Sequence, residues 1–169
     1  MPISPYGVSK LAAERYVAVY CRLYGLTASS LRFSSVYGPR QTKQVVFDLM
    51  RRVLENPGRL EILGDGTQKR DFTFVEDIVQ ATLLVADKAP GAGEAYNVAS
   101  GTTHTISQLA ASVCRVCGAK PKIVYTGQLR PGDADKWVVD ITALKKLGYR
   151  PKVTLQDGLR RVLEWYEGQ

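Results

Sequence analysis

With 169 residues, of which 45% are hydrophobic and 23% charged, the chain is long enough for one domain with a real core and ordinary in make-up for a globular protein. No apolar run approaches the ~20 residues of a membrane-spanning helix and no signal-peptide pattern opens the sequence, so neither a membrane nor a secreted protein is expected. The net charge of +7 sits on dispersed pairs such as Arg51 and Arg52 or Arg160 and Arg161, with no basic stripe and interleaved aromatics; this argues against nucleic acid and suits a few arginines aimed at a phosphate ligand.

The first element is the helix opened by "SPYGVSK", residues 4–10. Ser4 suits the N-cap, and Pro5 the first helical position, where a missing N–H costs nothing. Val8, Ala12, Tyr16, Val19 and Leu23 then recur at helical spacing until Gly25 supplies a stop. Tyr6 and Lys10 therefore lie one turn apart on one face. A phenol ionises near pH 10, so a tyrosine acting as a base at neutral pH needs cations beside it, and a lysine at this spacing can be one. With nine tyrosines in the chain, about half a Y-x-x-x-K match arises by chance, and a surface tyrosine beside a solvated lysine is the plain alternative.

Strands and helices alternate from there on. "ASSLRFSSVY" (28–37) reads as one strand closed by Gly38-Pro39, and a helix follows through Val46, Leu49, Met50 and Val53 until "ENPG" ends it. "LEIL" (60–63) is a short strand running into "GDG". Thr73 and Glu76 have the spacing of a capping box for a helix through Ile78, Thr82 and Val85. "EAYNVAS" (94–100) is the next strand, and Thr105 with Gln108 boxes a helix through Leu109, Val113 and Val116. "KIVYT" (122–126) is a strand, "DITALKKLG" a short helix capped by Asp140, and Thr154 opens a last amphipathic helix through Leu159, Val162, Leu163 and Tyr166. The alternation predicts an α/β fold with mostly parallel strands.

Other features have plainer explanations. Cys114 and Cys117 spell C-x-x-C, but at the C-terminal end of a helix, where the macrodipole disfavours a thiolate, so packing is expected. The three cysteines have no framework spacing, which points to a reducing compartment and a cytoplasmic protein. His104 is placed in a loop, Trp137 and Val139 in an edge strand, and Trp165 and Tyr166 at the core boundary. No strand runs into a G-x-G-x-x-G turn and a helix, and no Walker loop occurs; no metal site is expected.

Six motifs in order resemble one family. "SPYGVSKLAAE", "LRFSSVYGPRQ", "ILGDGTQKRDFTFVEDIVQA", "EAYNVASG", "RPGDADK" and "DITALKKLGYRPKVTLQDGL" look like the C-terminal half of an extended short-chain dehydrogenase/reductase, of the NAD-dependent epimerase/dehydratase family, and within it like UDP-glucose 4-epimerase-like members. The resemblance spans essentially the whole chain. It implies an α/β fold in which residues 4–37 and 73–99 are the back part of a Rossmann-type sheet with its helices, and 38–72 and 100–169 a small substrate-binding lobe, without the N-terminal glycine-rich half.

The resemblance also implies roles. Tyr6 is then the catalytic acid/base that exchanges a proton with the sugar hydroxyl, and Lys10 holds the nicotinamide ribose of NAD beside it. The backbone after Arg32, at Phe33, lines the nicotinamide end. Arg70 and Arg130 grip the diphosphate of a nucleotide sugar, since guanidinium forks pair two oxygens at fixed spacing; a surface salt bridge is the alternative for either. Ser35 stands where the family usually has a substrate-contacting asparagine, and one hydroxyl cannot reproduce both donor and acceptor of an amide. The implied partners are a nucleotide-sugar substrate and either a second copy of the chain, through a four-helix contact that includes the Tyr6 helix, or an N-terminal half. The expected function is a nucleotide-sugar epimerase or dehydratase using NAD, present as a C-terminal portion and inactive alone. The rivals are a non-catalytic remnant and a nucleotide-sugar-binding or assembly module without NAD binding.

Overall fold

The computed structural model describes residues 2–128 and 137–168. Along the chain run α1 (Pro5–Tyr24), β1 (Ala28–Phe33), β2 (Ser35–Tyr37), α2 (Gln44–Glu55), β3 (Arg59–Ile62), β4 (Lys69–Phe74), α3 (Val75–Lys88), β5 (Ala92–Val98), β6 (Thr103–Thr105), α4 (Ile106–Val116), β7 (Lys122–Tyr125), α5 (Thr142–Lys146) and α6 (Leu155–Glu167). β1 pairs with β5, β2 with β4 and β3 with β7, all parallel, while β4 also pairs antiparallel with β6. The fold is α/β with mostly parallel strands, as the alternation predicts.

The run 28–37 is two strands rather than one, and Ser34 is the reason. Its N–H donates to the Val98 carbonyl at 2.9 Å and its Oγ to the Asp71 carbonyl at 2.8 Å, which fixes a buried switch from one sheet to the next. β1 thereby ends beside β5, and β2 begins beside β4.

β4 and β6 are elements that periodicity misses. "KRDFTF" mixes charged and apolar residues because its last four residues are buried on both faces, Asp71 and Thr73 included, while its start stays near water. The Thr73–Glu76 capping box does not form. Thr73 is held in β4 opposite Val36, fully buried, and donates to Asp71 Oδ1 at 3.3 Å; α3 begins only at Val75, with no side-chain cap. Glu76 and Asp77 in its first turn supply favourable charge instead. His104 lies in β6 rather than a loop, and Trp137 to Asp140 form no strand; the Trp137 N–H donates to the Lys69 carbonyl at 3.2 Å.

Other caps form where their spacing puts them. Ser4 Oγ accepts from the Gly7 N–H at 3.1 Å, and Gly25, at φ 68, closes α1 in the left-handed conformation. Thr105 and Gln108 bond reciprocally, at 2.8 and 3.0 Å. Thr154 Oγ1 accepts from the Asp157 N–H at 3.2 Å. Asp140 stands one residue outside the α5 cap, Ile141, yet its Oδ1 takes the Thr142 N–H at 2.8 Å.

One core gathers Tyr37, Met50, Leu60, Phe72, Phe74, Leu109 and Leu159, so α2, α4 and α6 close on β2, β3 and β4. A second gathers Ile78, Val85, Tyr96, Val98, Leu144 and Tyr149 around α3, β5 and α5. Two buried carboxylates join segments far apart in sequence. Asp71 accepts the N–H groups of Ser100 and Gly101, each at 2.8 Å, and Asp77 those of Lys152 at 2.9 Å and Val153 at 3.1 Å. Each replaces water for two backbone donors that β5's exit and the approach to α6 would otherwise leave unmet.

α1 packs through a face the sequence does not advertise. It meets the β1–β5 pair through Glu14, whose carboxylate takes two N–H groups of Arg32, each at 2.6 Å, through Cys21, and through Ala18, whose backbone lies so close to Gly93 that a Cβ there would collide. The row Val8, Ala12, Tyr16, Val19 and Leu23 lies about half a turn round the helix, facing away from the sheet, and α1 has no buried residue.

Candidate functional site

A cavity of about 590 Å³ opens between β2, β3, β4 and the start of α2, a volume that suits a small-molecule ligand. β4 and the residue just before it shape one wall by alternation. Gln68, Arg70 and Phe72 line the cavity, while the Asp71 side chain between them turns away to its Ser100 and Gly101 donors. β2 contributes Ser35, in register with Phe72. Ser35 and Arg70 are thus brought to one cavity from segments far apart in the chain.

The loop before α2 is held in an unusual shape. Arg40 and Gln44 take φ of 69 and 74, conformations that non-glycine residues seldom adopt. The Gln41 side chain ties the loop back, its Nε2 donating to the Val36 carbonyl at 2.9 Å. Lys43, the N-cap of α2, gives that helix no side-chain bond, so the positive end of the helix joins Lys43 and Arg70 at the cavity wall. The potential there favours an anion. Arg70 donates from Nη1 to the Lys69 carbonyl at 2.9 Å, and its guanidinium lies 5.6 Å from the centre of the Trp137 ring.

Tyr6 and Lys10 stand elsewhere, on the first turns of α1. Tyr6 is 72% exposed, and Lys10 Nζ lies 5.4 Å from the centre of its ring. Ser9 donates to the Tyr6 carbonyl at 2.8 Å, which uses its hydroxyl within the helix. Neither Tyr6 nor Lys10 is among the residues lining the cavity. Phe33, half-exposed, ends β1 one residue before the Ser34 switch, and Ser35 follows it, so the two flank the crossing between sheets. Arg130 lies outside the described residues. Gln41, Lys43, Gln44 and Gln68 are wall residues not singled out from the sequence; only Gln68 had a usable signal, its two-residue spacing from Arg70.

The C-x-x-C pair is held as protonated, packed thiols. Burial, with the neighbouring Cys114 and Glu167 adding to it, pushes the Cys117 thiol up to about 11, and burial raises Cys114 as well. Both thiols are free and pack at the end of α4. Among the described residues, no group of three or more His, Cys, Asp or Glu side chains could hold a metal ion, and no helix is long and apolar enough to cross a membrane.

Comparison with known proteins is consistent in kind. The model of the NAD dependent epimerase/dehydratase family matches residues 1–99. A dTDP-glucose 4,6-dehydratase of Haemophilus influenzae is 35% identical over 179 aligned positions, which take in 98% of this chain and 52% of that protein. The crystal structure of a UDP-glucose 4-epimerase with UDP-glucose, from Thermotoga maritima, superposes with a TM-score of 0.91 at 36% identity, over 99% of this chain and 55% of that one. A UDP-glucuronic acid 4-epimerase of Bacillus cereus, in complex with UDP-glucuronic acid and NAD, gives 0.90 at 31% identity, over 99% and 54%. The chain spans about half the length of the relatives it matches.

Proposed function

Because the chain belongs to the NAD-dependent epimerase/dehydratase family, we propose that it forms the substrate-gripping and acid/base portion of a nucleotide-sugar epimerase, of the kind that acts on UDP-glucose. The observation that supports this most is the cavity that takes Ser35 from β2 and Arg70 from β4. Arg70, with Arg130 from the "RPGD" motif, pairs the phosphate oxygens of the diphosphate; the α2 N-terminus and Lys43 add positive potential behind it. Ser35 meets the hexose. Its single hydroxyl makes fewer hydrogen bonds there than an amide would, so tight substrate binding depends more on the diphosphate grip.

The open flank of α1 fits a nicotinamide end: Tyr6 and Lys10 sit together facing solvent, and Phe33 at the end of β1 is half-exposed. NAD, when bound there, supplies the hydride acceptor. The chain's own work is at the Tyr6 phenol oxygen, which takes the proton from a sugar hydroxyl and later returns one. Lys10 places a cation beside it and a donor for the cofactor ribose. Ser9, bonded within α1, has no part in the proton transfer.

Calorimetric titration with UDP-glucose tests the grip. Arg70→Ala is expected to weaken binding at least tenfold, as loss of a charge-assisted pair should. Lys145→Ala, an exposed change on α5, should leave it unchanged. Equal effects of the two substitutions would remove Arg70 from the site. A second reading is nucleotide-sugar binding without hydride chemistry, and titration with NAD separates the two. Titrated by itself, the chain is expected to show no micromolar dissociation constant for NAD, and such a constant would count against this second reading.

A further inference from the structure

We propose that His104, through its charge, sets the strength of the diphosphate grip at Arg70, so that UDP-glucose binds more tightly as pH falls; this rests on the nucleotide-sugar reading above. β4 and β6 run antiparallel, with Arg70 directly opposite His104. Side chains opposite one another in such a pair leave the same face of the sheet, with Cβ atoms about 5 Å apart. His104 is therefore the cross-strand neighbour of the residue assigned to the phosphates.

The cavities agree with the register. A second cavity, of about 360 Å³, is lined by His104, by Ser100 and Thr102 from the turn before β6, and by Lys152 and Thr154 ahead of α6. Phe72, two residues along β4 from Arg70 and on the same face, lines both cavities. His104 is partly buried and does not line the first cavity, so it stands beside the anion's pocket without entering its wall. It acts on the ligand by charge rather than by contact.

The charges facing His104 give the effect its sign. Arg70 is across from it on β4, and Lys152 lines the same cavity. Lys69 and Asp71 flank Arg70, and alternation turns both to the other face, where Asp71 holds the Ser100 and Gly101 N–H groups. The Asp157 carboxylate, in the first turn of α6, is engaged by Thr154 Oγ1 at 2.6 Å and by Arg160 at 2.8 Å. α4, which follows β6, has no acidic residue in its first turn. A proton on His104 thus adds a cation to Arg70 and Lys152, and a diphosphate bearing two negative charges offsets that crowding. Histidine is the side chain that ordinarily changes charge between pH 5 and 8, and this chain has one. UDP-glucose, a diphosphate diester, keeps its charge across that range, so the proton taken up on binding belongs to the protein. A unit charge within about 10 Å of the phosphates changes affinity about three- to fivefold at low salt.

Proton NMR of the 169-residue chain tests this directly, because a single histidine gives a single Cε1–H resonance to follow against pH. Its titration midpoint is expected to lie about 0.5–0.7 pH unit higher with saturating UDP-glucose than without, the same three- to fivefold factor seen from the proton's side. Calorimetry at low salt is expected to find UDP-glucose bound about three- to fivefold more tightly at about pH 5.5 than at about pH 8. His104→Gln should lose that dependence, and His104→Lys should bind at the higher pH as the unmodified chain does at the lower. The resonance needs no variant, so misfolding of either substitution, checked by its melting temperature, leaves a result in hand. If the midpoint is the same with and without UDP-glucose, or a folded His104→Gln keeps the pH dependence, the role of His104 falls while the nucleotide-sugar reading stands. If the unmodified chain binds no UDP-glucose at either pH, both fall.

Discussion

At the scale of single residues, the largest leverage lies with the two buried carboxylates. Asp77 is buried at the first turn of α3 and bonds backbone N–H groups some 75 and 76 positions further along the chain. It sets the approach to α6, whose Gly158 packs so tightly on Tyr37 and Phe74 that a Cβ would not fit. Asp77→Ala leaves two donors unmet, at about 1–3 kcal/mol each, offset in part by no longer burying a carboxylate. A net loss of about 3 kcal/mol is expected, and for a chain of this size it lowers the melting temperature by roughly 10 °C. Thermal denaturation followed by circular dichroism measures it; a fall of less than about 2 °C would show that α6 docks without this staple. Nothing in the sequence distinguishes Asp77 from a first-turn acid placed for the helix dipole, because its partners are main-chain groups and leave no residue-type signature.

At the scale of elements, legibility followed the range of the forces. The caps at Ser4, Thr105 and Thr154 depend on neighbours three residues away, and they form as spaced. β4 stayed hidden because "KRDFTF" draws its burial from β2, β6 and α6, none of which its own pattern can show. The break at Ser34 was hidden for the same reason: both its partners, Val98 and Asp71, are long-range. Among the site residues, Arg70 and Ser35 were visible in motifs, whereas Gln68, just before β4, shows its place only through the cavity it lines.

α1 makes the case most clearly, for its docking face holds an ion pair rather than an apolar stripe. The hydrogen bond from Arg32, helped by its charge and opposed by burial, holds the Glu14 carboxyl below its ordinary 4.5. A depressed folded-state value means that this contribution is complete above the ordinary value and is lost as pH falls through the folded one. Glu14→Gln should therefore be less stable than the unmodified chain at pH 7 by about 0.5–1 kcal/mol, since Arg32 remains half-exposed and screened. The difference should narrow below pH 4.5 and close once the carboxyl is protonated. Parallel melting curves across pH check this, and a gap that stays constant down to pH 2 would show that the loss is one of packing rather than of charge.

At the scale of the whole molecule, the same helix decides how the chain behaves in solution. With Glu14, Ala18 and Cys21 turned to the sheet, its other side presents Val8, Tyr16, Val19, Tyr20 and Leu23, with Tyr16 at 68% and Leu23 at 61% exposure. Fully burying one such side chain is worth about 1.5–3 kcal/mol. A symmetric contact covers the row on both copies, so even half-burial returns roughly 10 kcal/mol, against an association cost of about 4–15 kcal/mol. The 169-residue chain is therefore expected to self-associate through α1 at tens of micromolar. The double substitution Tyr16→Glu with Leu23→Glu should return it to a monomer, and because neither side chain is buried it should do so without lowering the melting temperature in dilute solution. Light scattering over a concentration series distinguishes the outcomes. A monodisperse monomer of the unmodified chain at about 500 μM, roughly ten times the concentration at which association should begin, would show that the row stays wetted and that some other surface governs assembly.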